Sequence, residues 1–259
     1  MLFRSPCNYL GGGAFRPVVP FFPRSMSHLF SSGVFTNGRA AWHRLGEVVS
    51  GDLSPSEAFS RANALFTVEK RSLHLHSPAM YDDLVHCETV EDARAVHRMY
   101  APPIDLGQAI VRTDNNQPLG IVSPGYEIIQ NDKLLDLANA LREDTTIDNV
   151  IVLKGGARVC FTARINGADK DIIKGDKVFK YFVGYLGHDG KTAFSGGFGM
   201  TRVVCQNTLS MFQGEQQQNG ANKSFTIRHC DGQIRYLDKI IETIDLARQT
   251  MESDIEKNL

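Results

Sequence analysis

The chain has 259 residues, with 28 Lys and Arg against 29 Asp and Glu, 42% hydrophobic residues and 22% charged ones. That composition is globular, suits one large domain or two small ones, and excludes wholesale disorder. No apolar run reaches the roughly 18 residues of a membrane span, and a net charge of −1 excludes a globally basic nucleic-acid binder while leaving room for a local basic face.

Residues 1–25 contain Arg4, Arg16 and Arg24 and no acid, so the rest of the chain keeps 25 of the 28 basic residues against 29 acids, a net of −4. Gly11-Gly12-Gly13 and four prolines preclude the amphipathic helix of a transit peptide there. The segment reads as a disordered extension, or as translated sequence ahead of a start at Met26. The five cysteines (Cys7, Cys87, Cys160, Cys205, Cys230) are scattered, odd in number and without a CxxC pair. That pattern points to buried thiols in a reducing cytoplasm. His86-Cys87 and His229-Cys230 lack the ligand spacing of zinc modules, so neither metal nor cofactor is expected.

Residues 26–105 read as a helical and irregular N-terminal segment containing the only Trp, in Trp42-His43-Arg44. Ser54-Pro55-Ser56-Glu57 carries the marks of a helix start, with Ser54 as N-cap, Pro55 in the first turn and Glu57 closing a capping box. A second helix follows Thr89, and Pro102-Pro103 ends the segment. Residues 106–230 read as an α+β core. Ile110–Thr113 and Leu119–Val122 flank a turn-rich loop, and Asn131 is placed to cap a helix with an apolar stripe from Leu134 to Leu141. Two further hairpins are predicted, Val150–Ile165 around Gly155-Gly156 and Val178–Phe198 around Asp189-Gly190. Asn207 is placed to cap another helix, and residues 231–259 read as a C-terminal helix with Leu237, Ile241 and Ile244 on one face. The fold class expected is α+β, a mostly antiparallel sheet of hairpins with packed helices.

Four groups carry candidate chemistry. Trp42-His43-Arg44 is either an aromatic and cationic contact or, the preferred reading, an anchor for the domain start. Arg112, Asp114, Gln130 and Asn131 share one hairpin-to-helix unit, as an anion site or as turn and cap residues. Cys205 precedes a helix start and is either a nucleophile, with His229 or His188 as base and Asp114 or Asp189 in support, or a buried thiol ending a core strand, the preferred reading. Basic positions including Lys154, Arg158, Arg164, Lys177, Lys180, Lys191 and Arg202 share residues 150–205 with Phe161, Phe179, Tyr181 and Tyr185. Such a mixture suits a groove for single-stranded nucleic acid.

Several of these segments together resemble one family. Trp42–Gly46, Val111–Asp114 with Leu119–Val122, Tyr126–Asn131, Gly155–Val159, His188-Asp189-Gly190, Arg202–Leu209 and Ile227-Arg228-His229 occur in its order. They resemble the phage/plasmid-like proteins of domain-of-unknown-function family 932 over about residues 40–250, with Trp42, His43, Gln130, Asn131, Asn207, Thr208 and Arg228 among the motif positions. Residues 1–25 match nothing in that pattern, and the chain ends earlier than typical members do. The resemblance implies a prophage, phage or plasmid setting in a bacterial cytoplasm and a link to mobile-element DNA metabolism. The element order is also loosely similar to the ring-forming single-strand annealing proteins of phages, a likeness of fold alone. The leading expectation is a non-enzymatic accessory that binds single-stranded DNA through Arg112, Arg158, Arg164, Lys180 and Arg202, self-associates and avoids membranes. The alternatives are a hydrolase or nucleotide-acting enzyme using Cys205 and His229, and a structural or host-interaction protein.

Overall fold

The computed structural model describes residues 29–230 apart from 76, 168–169, 174–175 and 220–223, with backbone alone for 170–173, 176–178 and 217–219. Residues 1–25 and the predicted C-terminal helix of 231–259 lie outside the described residues.

Segment 26–105 supplies more strand than its sequence suggests. Strands β1 (Phe30–Phe35), β2 (Glu47–Val48) and β3 (Val68–His74) alternate with α1 (Pro55–Arg61), and α2 (Ala79–Leu84) and α3 (Val90–Tyr100) follow. Strand β1 is interrupted by Ser31, Ser32 and Gly33 and β2 has only two residues, so both lack the two-residue alternation that announces a strand. They form because neighbouring strands offer backbone partners. Both predicted helix starts are present. Ser54 Oγ accepts from Glu57 N at 3.3 Å and the Glu57 carboxylate accepts from Ser54 N at 3.1 Å. Thr89 and Asp92 repeat this box at the start of α3.

After β4 (Pro103–Arg112), β5 (Pro118–Val122) and α4 (Asn131–Ala140) come β6 (Thr145–Leu153) and β7 (Arg158–Ile165). A small hairpin of β8 (Lys170–Ile173) and β9 (Asp176–Val178) leads to β10 (Tyr181–Gly187) and β11 (Phe194–Gly199). The chain then forms α5 (Gln206–Asn219) and β12 (Ser224–Ile227). The large sheet runs β12-β11-β10-β7-β6-β1-β2, antiparallel except for the β1–β2 pair, and β3-β4-β5 make a second antiparallel sheet. The fold is therefore α+β and mostly antiparallel, as expected.

Strand alternation gives the large sheet two buried faces. Val150, Val152, Phe161 and Phe182 point to one, where α1, α4 and the small sheet pack. Ile151, Leu153, Cys160 and Val183 point to the other, with Val203, Cys205, Leu209 and Phe212 leading into and along α5. No helix among the described residues is long and apolar enough to cross a membrane.

The small sheet docks against the end of the large one at close range. A Cβ on Gly120 of β5 would lie 2.7 Å from the Asp189 carbonyl carbon, so only Gly permits this approach. Gly156 does the same for Phe66 and Arg112, with a Cβ position 2.9 Å and 3.0 Å from those side chains and φ of +112°. Gly120→Ala therefore forces the two sheets apart, and we expect a loss of about 1–3 kcal/mol, read as a lower urea midpoint at unchanged slope. An unaltered midpoint would show that the docking yields freely.

Candidate nucleic-acid interface

The polar motif residues separate into two groups at opposite ends of the large sheet. The first is a buried junction between the sheets. Gln130 precedes α4 and clasps the start of β3 through both amide atoms, accepting from Val68 N at 3.0 Å and donating to Val68 O at 2.8 Å. Asn131 donates to Phe66 O at 2.9 Å and accepts from His188 Nε2 at 2.9 Å. Asn131 is thus not the expected cap. Helix α4 opens inside a tertiary contact, where the Asn side chain meets a longer-range donor and acceptor, and Gln130 holds the cap position without a side-chain cap bond. Arg112 lies 3.8 Å over the Phe66 ring, grips both Asp114 oxygens at 2.9 and 2.6 Å, and donates to Gly155 O at 3.0 Å. Its fork is committed within the protein, and it holds the Asp114 carboxyl below its ordinary pKa.

Asp189 organises the loop between β10 and β11. It accepts from the Lys191 and Thr192 backbone at 2.9 and 2.7 Å and from Arg158 Nε at 2.9 Å. Burial raises its pKa, but these bonds and the Arg158 charge prevail and lower it. The loop runs over six residues rather than a two-residue Asp-Gly turn, because Asp189 is drawn into this contact with β7. His188 is 1% exposed, and burial, aided by the nearby His229, drives its pKa down to about 3, so it is a neutral imidazole. His229 stacks on Tyr126 with ring centres 4.5 Å apart, donates from Nδ1 to Glu127 O at 3.0 Å, and is also lowered mainly by burial. Burial raises the Tyr126 phenol in the same cluster.

These contacts bear on the enzyme reading. Cys205 is fully buried in the core cluster beneath α5, whereas His229 stacks on Tyr126 of the cluster on the other face. The sheet lies between thiol and imidazole, so the two do not form a nucleophile–base pair. Cys205 contacts Thr208, whose hydroxyl accepts from Val204 N at 2.9 Å and Cys205 N at 3.0 Å. Asn207 lies exposed inside α5 rather than at its cap, and it is Thr208 that bonds the Val204 and Cys205 amides just ahead of the helix. Burial raises the neighbouring Cys160 thiol far above its ordinary range. Arg228 follows β12 beside His229, exposed. Among the described residues no three His, Cys, Asp or Glu side chains gather as a metal site.

The second group sits on the α5 face, at the end marked by a β-bulge. The register of β6 shifts between Ile147 and Asn149, which turns the consecutive Asp148 and Asn149 to one side. Buried Asp148 accepts from Arg202 Nε and lies 3.6 Å from Arg39 Nη1, while Arg202 Nη2 donates to Arg39 O at 2.6 Å. The half-buried Phe179 ring has two guanidinium groups close to it, Arg39 at 4.4 Å and Arg164 at 5.2 Å from its centre. Lys180 follows it, half-buried. Arg202 also lies 5.9 Å over Phe35, which contacts the His43 ring at 6.2 Å. His43 accepts from Leu45 N at Nδ1 and so donates from Nε2 to Val204 O, each at 3.0 Å. His43 is thus the anchor of this segment, while Trp42 is 66% exposed, contrary to the expectation of a buried Trp.

The basic positions of 150–205 consequently do not gather in one patch but separate to the two ends of the sheet. Lys154, Arg158 and Lys191 act on one another around Asp189 at one end, and Arg164 and Arg202 meet Arg39 at the other. The apolar middle of that face lies under α5, and Phe161 and Tyr181 are buried. Arg39 was missed in the sequence because it lies more than a hundred residues from its neighbours. The signal that pointed to the region was the pairing of Arg164, Lys180 and Arg202 with Phe179.

No curated protein and no solved structure matches the chain. A family profile described as Domain of unknown function (DUF932) matches residues 118–257, a span that includes β5 to β12, α4, α5, the Asp189 loop and the Arg202–Leu209 run. With just over half of its length matched, the chain belongs to the DUF932 family.

Proposed function

We propose that the protein is a non-enzymatic accessory of phage or plasmid DNA metabolism that binds single-stranded DNA at the Arg39–Phe179–Arg164 corner. The observation that carries this reading is an aromatic ring with two guanidinium groups within about 5 Å of its centre, with Arg202 bonded to Arg39 and Trp42 exposed on the adjoining segment. Guanidinium groups pair with phosphates, and aromatic rings stack on unpaired bases of any sequence. Arg39, Arg164 and Arg202 against Asp148 leave a local charge of +2, so binding is local and modest. Arg112 and Arg158, bound to Asp114 and Asp189, are assigned to architecture rather than to phosphates.

The test is fluorescence anisotropy with a labelled oligothymidylate. With a local charge of +2, two phosphate contacts predict an affinity that falls about sevenfold between 50 and 200 mM salt. Phe179→Ala is expected to weaken binding by at least fivefold, and Arg164→Gln to flatten the salt dependence. Absence of binding at 50 mM salt, or a Phe179→Ala variant that binds normally, would overturn the reading.

A further inference from the structure

The β3–β4 ribbon carries an insertion, α2 and α3, that lies outside the family-matched residues and presents an unusual surface. Helix α3 has no buried residue, although its apolar positions fall on one side. Val85, Val90 and Met99 are exposed on this hairpin, Met99 at 65%, and so are Leu75 just after β3 and Leu106 on β4. Isolated exposed apolar residues are ordinary, but several on one helical hairpin whose α3 has no buried residue suit an association surface. The hairpin is also acidic. From Pro78 to Ala101 it carries Asp82, Asp83, Glu88, Glu91 and Asp92 against Arg94 and Arg98, a net of −3. Some of these carboxylates are used locally: Asp92 caps α3, and Asp83 bonds the Tyr100 hydroxyl. Glu88 and Glu91 face solvent, with the Glu91 side chain 80% exposed at a loose 3.8 Å from Arg94.

The same chain holds a surface of opposite character, the corner of Arg39, Arg164 and Arg202 around Phe179, with exposed Trp42 on the adjoining segment. We infer that the acidic, apolar α2–α3 hairpin of one copy docks on the cationic, aromatic corner of a second copy. The occupant is assigned on charge complementarity joined to apolar contact, the combination that sets register and orientation between protein surfaces. The contact joins two different patches, so it closes only if the copies exchange it reciprocally or form a ring. It stands on these charges and exposed apolar groups and does not require that the corner bind DNA.

Two charge-reversed variants of the full chain test it by sedimentation velocity at 50 µM protein in 50 mM salt. The unaltered protein is expected above its monomer mass of 28.7 kDa and to return toward it in 500 mM salt. Glu88→Lys/Glu91→Lys and Arg39→Glu/Arg164→Glu are each expected to be monomeric, with circular dichroism reporting that they fold. An equimolar mixture of the two is expected to regain the higher mass, since the basic hairpin of one then meets the acidic corner of the other. A monomeric parent protein in 50 mM salt, or a Glu88→Lys/Glu91→Lys variant that keeps the parent's mass, overturns the inference. That hairpin variant leaves the DNA-binding corner intact, so loss of assembly with oligothymidylate binding retained separates the two proposals.

Discussion

His188→Gln is expected to flatten the acid limb of the stability curve. In the folded protein the buried His188 takes a proton only near pH 3, whereas in the unfolded chain it does so near 6.5. Between those values the unfolded state binds more protons, so stability falls as pH falls, from full value above about 6.5 to complete loss of this contribution near 3. The whole depression corresponds to roughly 4–5 kcal/mol, of which about 2–3 kcal/mol is lost between pH 6.5 and 4.5. Gln keeps an N–H for the Asn131 carbonyl and cannot titrate. The variant should be less stable at pH 7 but lose about 2–3 kcal/mol less than the parent on acidification to 4.5. His229 and Asp189, both with lowered pKa values, supply a residual slope of the same sign. Urea titrations at several pH values measure it, and parallel curves for variant and parent would refute the assignment of a neutral buried imidazole.

Asp189→Ala is the second large effect. The Asp189 and Arg158 side chains are only 13% and 15% exposed, so removal of the carboxylate strands a guanidinium in a poorly hydrated place. The loop loses its Lys191 and Thr192 bonds at the same time. Breaking such a pair from one side costs about 3–5 kcal/mol, while replacing both partners with apolar residues costs much less. Thermal unfolding of Asp189→Ala, Arg158→Met and the double variant should therefore give strong non-additivity, with the double variant more stable than the sum of the singles predicts. Additive losses would mean that the two side chains act separately, and that Arg158 is available to outside anions after all.

The two sites were unequally legible in the sequence. Asn131 and Asn207 both stand where a helix cap belongs, and chain-local chemistry made both caps. Asn131 instead joins His188, 57 residues away in the chain, and Asn207 lies inside α5 while Thr208 bonds the Val204 and Cys205 amides ahead of it. A side chain with several hydrogen-bonding options takes the one that burial leaves available, and burial is a property of the assembled sheets. The basic block of 150–205 was legible as composition, but the length of β7, with Arg158 at one end and Arg164 at the other, and the Asp189 loop divided it between two ends. Its strongest aromatic contact came from Arg39, brought in by β1. Cys205 shows the same limit in reverse: its position before a helix was read correctly, and its separation from His229 followed only from which face of the sheet each occupies.

What the sequence by itself determined were the features whose physics is local. The capping boxes at Ser54 and Thr89, the hairpins at Asp114–Pro118 and Gly155-Gly156, and the α+β class each follow from contacts within a few residues. The net charge of −1 belongs with them, since it excluded general electrostatic binding before any fold was known. Only the tertiary structure decided which charges remain outward. Arg112 and Arg158 are absorbed by carboxylates, Arg39 and Arg164 lie close to an aromatic ring, and an acidic hairpin stands uncovered. The physical reason is that a charge's availability depends on what lies within a few ångströms of it, and in this fold those neighbours come from distant parts of the chain.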